Sequence, residues 1–194
     1  MDAEPKTKGR VILIHGFNVR DEGDRTVGAL APFLESAGFH VKRPRYGWRG
    51  LLGVRYLNET FSQLIADLSE PGDILIGHSN GCAIAVEAAE KSTHEFARLV
   101  LINPALDSDH LFPANIRRID VWHSPSDGPV RFAKFLPWHA WGDMGAVGYR
   151  GLYDPRVRSY NKENGFKVSS DSHSDVFEPG KIEFFGPLIV SKFA

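Results

Sequence analysis

Gly77-His78-Ser79-Asn80-Gly81 sets a serine between two glycines, and its flanks decide how to read it. Asp73-Ile74-Leu75-Ile76 before it is a short apolar run of strand type, and Cys82 to Ala89 after it is alanine-rich and helical in composition. On a strand-to-helix turn this sharp the central residue is strained, and side chains two positions away on either side would collide. Glycine is therefore wanted at 77 and 81. The following helix would aim its N–H groups and positive end at the serine oxygen, where negative charge could then develop. Without those flanks the pentapeptide would be an ordinary glycine-rich turn, since glycine and serine are common residues.

A serine hydroxyl attacks poorly unless a neutral imidazole takes its proton, and that imidazole needs a carboxylate on its other nitrogen. In an open parallel sheet such partners gather on the loops at the carboxyl ends of the strands. The apolar run at 119–122 leads into His123-Ser124-Pro125-Ser126-Asp127-Gly128, which puts Asp127 forward as the orienting acid. A later stretch, Ser170-Asp171-Ser172-His173-Ser174-Asp175, puts His173 forward as the base. Asp107 and Asp109, one loop earlier, are rival acids, and His110 and His123 are weaker rival bases. Asp171 and Asp175 read as loop-structuring, and His15 and His78 as residues that hold loops in place. The first strand ends in His15-Gly16-Phe17-Asn18. Gly16 lets the backbone pass close to a reacting carbonyl, so the Phe17 and Asn80 N–H groups are the expected oxyanion donors.

The elements that must carry these residues follow from local patterning. Val11-Ile12-Leu13-Ile14 and Leu99-Val100-Leu101-Ile102 are short continuous apolar runs, the mark of strands buried on both faces. Further strands are expected at 39–42, 73–76, 119–122 and 166–169. Val27, Leu30, Ala31 and Leu34 fall at helical spacing, with Pro32 breaking the pattern and Gly38 as a stop. Leu57, Phe61, Leu64 and Leu68 mark a second helix ended by Pro71-Gly72, and Ile182 to Val190 a last one. Strands alternating with helices imply a mostly parallel sheet covered on both sides. The segment 130–165 shows no clear period and is rich in aromatics and glycines, so it reads as a loop covering the site, lid-like. Asn18, Tyr46 and Trp48 at strand ends, with Trp138 and Trp141 from that segment, are the candidate substrate contacts. Arg43, Arg45, Arg49 and Arg55 either favour an anionic substrate or form a solvated basic face.

Composition narrows the classes. The chain has 194 residues, 42% hydrophobic and 24% charged, with a formal net charge of −1. That fits one globular domain, and leaves nucleic-acid binding without electrostatic support. One cysteine excludes an internal disulfide framework, and no Cys/His spacing resembles a zinc site, so no metal is expected. The N-terminal residues lack the apolar core of a signal peptide, and no apolar run is long enough to span a bilayer. Cytoplasmic location is the default expectation, and oligomeric state is left open.

With these residues in order, the chain resembles the α/β-hydrolase family over nearly its whole length from Arg10. The family's His-Gly oxyanion turn matches His15-Gly16, its nucleophile elbow matches Gly77 to Gly81, its acid after the seventh strand matches Asp127 and its late histidine matches His173. The resemblance implies a minimal form of that fold: a single α/β domain over residues 1–194, a three-layer α/β/α sandwich on a mostly parallel sheet of about six strands. Only nine residues precede the first strand, so the family's first two strands are expected to be missing. No insertion follows residues 99–102, where many members carry a helical cap. The implied activity is that of a serine hydrolase of the carboxylesterase or lipase-like kind, without cofactor, acting on a small-molecule acyl ester through an acyl-enzyme and a Ser79-His173-Asp127 triad. A thioesterase or amidase would use the same machinery, and a catalytically silent binding protein would keep the same fold. A haloalkane-dehalogenase-like enzyme would need an aspartate where Ser79 stands.

Overall fold

The structure is a computed structural model and describes residues 7–17, 19–47, 54–125, 142–161, 163–164 and 173–193. The described strands are β1 (Arg10–Ile14), β2 (His40–Lys42), β3 (Ile74–His78), β4 (Arg98–Ile102), β5 (Ile119–Trp122) and β6 (Val157–Tyr160). They form one six-stranded sheet in the order β2-β1-β3-β4-β5-β6, every neighbouring pair parallel. The helices are α1 (Ala31–Ser36), α2 (Val54–Leu68), α3 (Asn80–Lys91) and α4 (Ile182–Ser191), together with a single helical turn at Met144–Val147.

The continuous apolar runs behave as expected for strands covered on both faces: β3, β4 and β5 are buried at every position. Alternate side chains feed two cores. Ile12, Ile14, Leu75, Leu99, Leu101 and Val121 pack with Phe61 and Ile65 of α2 and with Ala85 of α3. Val11, Leu13, Ile76, Val100, Ile102 and Trp122 pack with Leu34 of α1 and with Ile182, Phe185 and Ile189 of α4. The result is a three-layer α/β/α sandwich. Pro32 causes no kink, because it sits in the first turn of α1, where its missing N–H has no intrahelical partner to lose.

Register brings the strand ends level. Ile14 pairs with Gly77, His78 with Ile102, Ile102 with Trp122, and Trp122 with Tyr160. The loops opening at His15, Ser79, Asn103 and His123 therefore leave the sheet from one edge.

One strand was not expected from the sequence. Residues 166–169 lie outside the described residues, as do Asn18, Trp48, Asp127, Trp138 and Trp141. The sixth described strand, Val157–Tyr160, lies inside the segment expected to be a covering loop. From residue 142 to 160 that segment is built into the sandwich. Tyr160 stacks on Trp122 with ring centroids 4.4 Å apart, Tyr149 packs on the core, and the Gly145 N–H donates to the Pro104 carbonyl at 2.8 Å. Among the described residues Val157-Arg158-Ser159-Tyr160 pairs only with β5, and with Arg158 and Ser159 polar it lacks the continuous apolar run of the central strands.

Candidate active site

β3 ends at His78 and α3 begins at Asn80, which leaves Ser79 alone to turn the chain. Its φ is 57° and its ψ −126°, a region that L-residues rarely enter. Such strain costs on the order of 1–3 kcal/mol and persists only where neighbours overdetermine it. Here they do. The Ser79 N–H donates to the Ile102 carbonyl at 3.0 Å, and its own carbonyl accepts from the N–H groups of Cys82 (3.0 Å) and Ala105 (3.2 Å). A Cβ on Gly77 would meet the Gly81 carbonyl oxygen at 2.7 Å, and one on Gly81 would meet the His15 oxygen at 2.6 Å. Both glycines are required by backbone, not by side chains that could move aside.

Gly16 faces the same point from β1. An added Cβ there would lie 2.8 Å from the Ser79 Cβ and 3.3 Å from its Oγ. The chain after β1 thus runs directly against the serine, and Phe17 follows on the cleft wall. Several contacts hold this strap. The His15 ring is buried and stacks on Tyr46 at 4.0 Å, and its Nδ1 lies 3.0 Å from the Gly16 carbonyl oxygen, which it can only approach as a donor. Burial pushes the His15 imidazole below its ordinary pKa and keeps it neutral. The Tyr46 hydroxyl donates to the His15 carbonyl at 2.5 Å, and the Glu22 carboxylate accepts from the Gly47 N–H at 3.1 Å. Tyr46, expected to line the substrate pocket, stands behind the strap. It is a buried prop there, facing a cavity of only about 20 Å³ shared with Gly16, Phe17, Asn58 and Asn80.

On the other side of the elbow, the Asn80 side chain exchanges two hydrogen bonds with Asn58 of α2, at 2.8 and 3.3 Å. This amide pair ties α2 to the first turn of α3. Cys82, in the first turn of α3, is fully buried, and burial holds its thiol far above the ordinary value and so unreactive.

Ser79 and His173 line the same cleft, about 580 Å³ in volume, together with Phe17, His78 and Ser174. Arg20, Asp21 and Arg25 form its outer wall. The main-chain carbonyl of His173 accepts two hydrogen bonds, one from Nδ2 of Asn103 at 2.7 Å and one from Nε2 of His78 at 3.1 Å. Asn103 is fully buried with φ 45°, and the His78 ring lies 4.9 Å from that of His173. Burial above all, with the neighbouring His173 ring, pushes the His78 imidazole down to about 3. It is neutral at any working pH.

The rivals fall elsewhere. Asp107 and Asp109 are exposed and do not appear on the described walls of the cleft. His110 packs edge-on against Phe112, and His123 is buried against Gly148. Asp175 is buried and paired with Lys181 at 2.6 Å, as a loop-structuring residue should be. Arg43, one of the four arginines considered for substrate, pairs with Asp24 at 2.9 Å on the surface. The arginines that do border the cleft, Arg20 and Arg25, carried no signal in the sequence.

A model of the alpha/beta hydrolase family matches residues 11–176. The chain belongs to the alpha/beta hydrolase family. Solved structures agree on the fold. An alpha/beta-superfamily protein from Xanthomonas campestris pv. campestris is 20% identical, with 96% of this chain and 98% of that one covered and a TM-score of 0.57. Alpha/beta hydrolase domain-containing protein 10 from mouse is 16% identical over 99% of this chain and 93% of that one, with a TM-score of 0.63. The monoacylglycerol lipase of Paleococcus ferrophilus is 15% identical over 96% and 94%, with a TM-score of 0.59. No curated protein matches the chain. Among the described residues no helix of this family member is long and apolar enough to cross a membrane. His78, expected to hold a loop in place, does so through the His173 carbonyl; its companion donor Asn103, which stands at a strand end before a proline, and Asn58 as partner of Asn80 escaped sequence reasoning.

Proposed function

We propose that this protein is a serine hydrolase of carboxylic esters of small molecules. The observation that carries the reading is Ser79 in a strained elbow at the start of α3, facing the same cleft as His173. In this mechanism Ser79 Oγ attacks the ester carbonyl carbon while the neutral His173 imidazole takes its proton. The carbonyl oxygen becomes an oxyanion held by the N–H groups of Phe17 and Asn80. The imidazolium then gives the proton to the departing alcohol oxygen, leaving an acyl-enzyme. Water, deprotonated by His173, attacks the acyl carbon and restores Ser79. Asp127 is the proposed orienting carboxylate.

Reaction with a fluorophosphonate followed by intact mass and peptide mapping tests the reading. One covalent adduct on Ser79 is expected, absent in Ser79→Ala and in His173→Ala. A wild-type protein unlabelled at neutral pH would favour a silent binding protein. The acid is assigned by turnover of p-nitrophenyl esters: Asp127→Asn should abolish it, while Asp107→Asn and Asp109→Asn should not. On the same substrates Gly16→Ala should lower kcat/KM by about a hundredfold, since its Cβ displaces the strap that carries the Phe17 N–H. Circular dichroism should meanwhile show the fold retained. Full activity in Gly16→Ala would remove Phe17 from the oxyanion site.

A further inference from the structure

We propose that His78 and Asn103 act as a two-donor clamp on the His173 main chain, setting the direction from which its imidazole meets Ser79. The inference rests on the reading of Ser79 and His173 as nucleophile and base. It gives the residue before the nucleophile a positioning task.

Three features lead to it. A carbonyl oxygen has two lone pairs, and here both donors converge on one oxygen, Nδ2 of Asn103 at 2.7 Å and Nε2 of His78 at 3.1 Å. The carbonyl can only accept, so His78 must carry its proton on Nε2. Burial, which keeps the ring neutral, leaves that tautomer in place across the working pH range. The donors are also rooted in the most rigid part of the molecule. His78 is the last residue of β3 and Asn103 follows β4, with its N–H held by the Trp122 carbonyl at 2.8 Å. The loop bearing His173 thus takes its register from β3, which carries the nucleophile, and from its neighbour β4. The φ of 45° at Asn103 is tolerated by asparagine better than by most residues, and it turns the amide toward the cleft loop. Finally, His78 spends its one donor on that loop: its Nδ1 is buried without a hydrogen-bond partner among the described residues. A ring that served packing alone would be replaced by phenylalanine at little loss.

Four variants test the clamp, His78→Phe, His78→Gln, Asn103→Gly and Asn103→Asp. Phenylalanine keeps the ring and removes the donor, whereas glutamine restores an N–H at a similar reach. Glycine keeps the backbone conformation of residue 103 and removes the amide, and aspartate turns a donor into an acceptor facing a carbonyl. The second-order rate of fluorophosphonate labelling at Ser79 is the primary readout. It should fall about tenfold to a hundredfold in His78→Phe, Asn103→Gly and Asn103→Asp, as expected for sub-ångström misplacement of a base, and recover largely in His78→Gln. With a p-nitrophenyl ester kcat should fall while KM stays within about twofold. The double variant His78→Phe/Asn103→Gly should lose less than the product of the single losses, because both act through one oxygen. Labelling at the wild-type rate in folded His78→Phe and Asn103→Gly would overturn the clamp while leaving the nucleophile assignment intact. Should His78→Phe fail to fold, the labelling rate of Asn103→Gly against wild type decides alone, an unchanged rate overturning the clamp. A wild-type protein that forms no Ser79 adduct would refute the nucleophile reading itself.

Discussion

Ser79→Ala should lower kcat for an activated ester by about a millionfold, the scale of losing a triad nucleophile, and Ser79→Gly should do the same while melting higher. The two differ only in backbone. At φ 57° and ψ −126° both serine and alanine are strained, at on the order of 1–3 kcal/mol, and glycine is not. Glycine gives back about 0.5–1 kcal/mol through its looser unfolded chain, so the net gain is about 1 kcal/mol. For a domain of this size that is about 3 °C in Tm, readable by calorimetry on the two inactive variants side by side. Equal melting temperatures would mean that the elbow stores no strain. Substantial turnover in Ser79→Ala would remove the serine from the reaction.

Gly81→Ala is expected to damage fold and activity together. Its Cβ would sit 2.6 Å from the His15 carbonyl oxygen and against that of Ile14, where β1 passes α3. Those are backbone carbonyls at the end of β1 and just beyond it, and they cannot rotate out of the way as a side chain could. Overpacking of this kind costs about 1–3 kcal/mol and more where backbone must shift. The same shift would part the Phe17 and Asn80 N–H groups, so kcat should fall by at least about a hundredfold. Gly72→Ala is the control: its φ is 86° but nothing lies within 4 Å of an added Cβ. It should cost only the conformational penalty of about 1–2 kcal/mol and leave kcat untouched. Urea unfolding and ester kinetics on the two variants separate the cases. A loss at Gly81, whose backbone is helical, no larger than at Gly72 would show that the close approach is relieved by small shifts.

The central strands and the elbow were legible because they obey local rules. Val11 to Ile14 and Leu99 to Ile102 are apolar at every position since both faces are covered, and Gly77 and Gly81 are dictated by atoms within a few residues or by a single neighbouring strand. β6 was not legible. Its Arg158 and Ser159 are polar, and its Tyr160 finds a partner in Trp122, 38 residues earlier, so no run of apolar residues announces it.

The order of residues alone determined that a serine would stand strained at the carboxyl end of a buried strand, because glycine spacing and hydrophobic runs act through covalent geometry and burial within a short stretch of chain. Tertiary structure alone decided which polar groups support it. His78 meets the His173 carbonyl across 95 residues and Asn103 meets it across 70, while Asn58 reaches Asn80 from a different helix. A hydrogen bond between such distant residues leaves no periodicity in the sequence. It exists only once parallel register has levelled the strand ends and brought their loops to one edge.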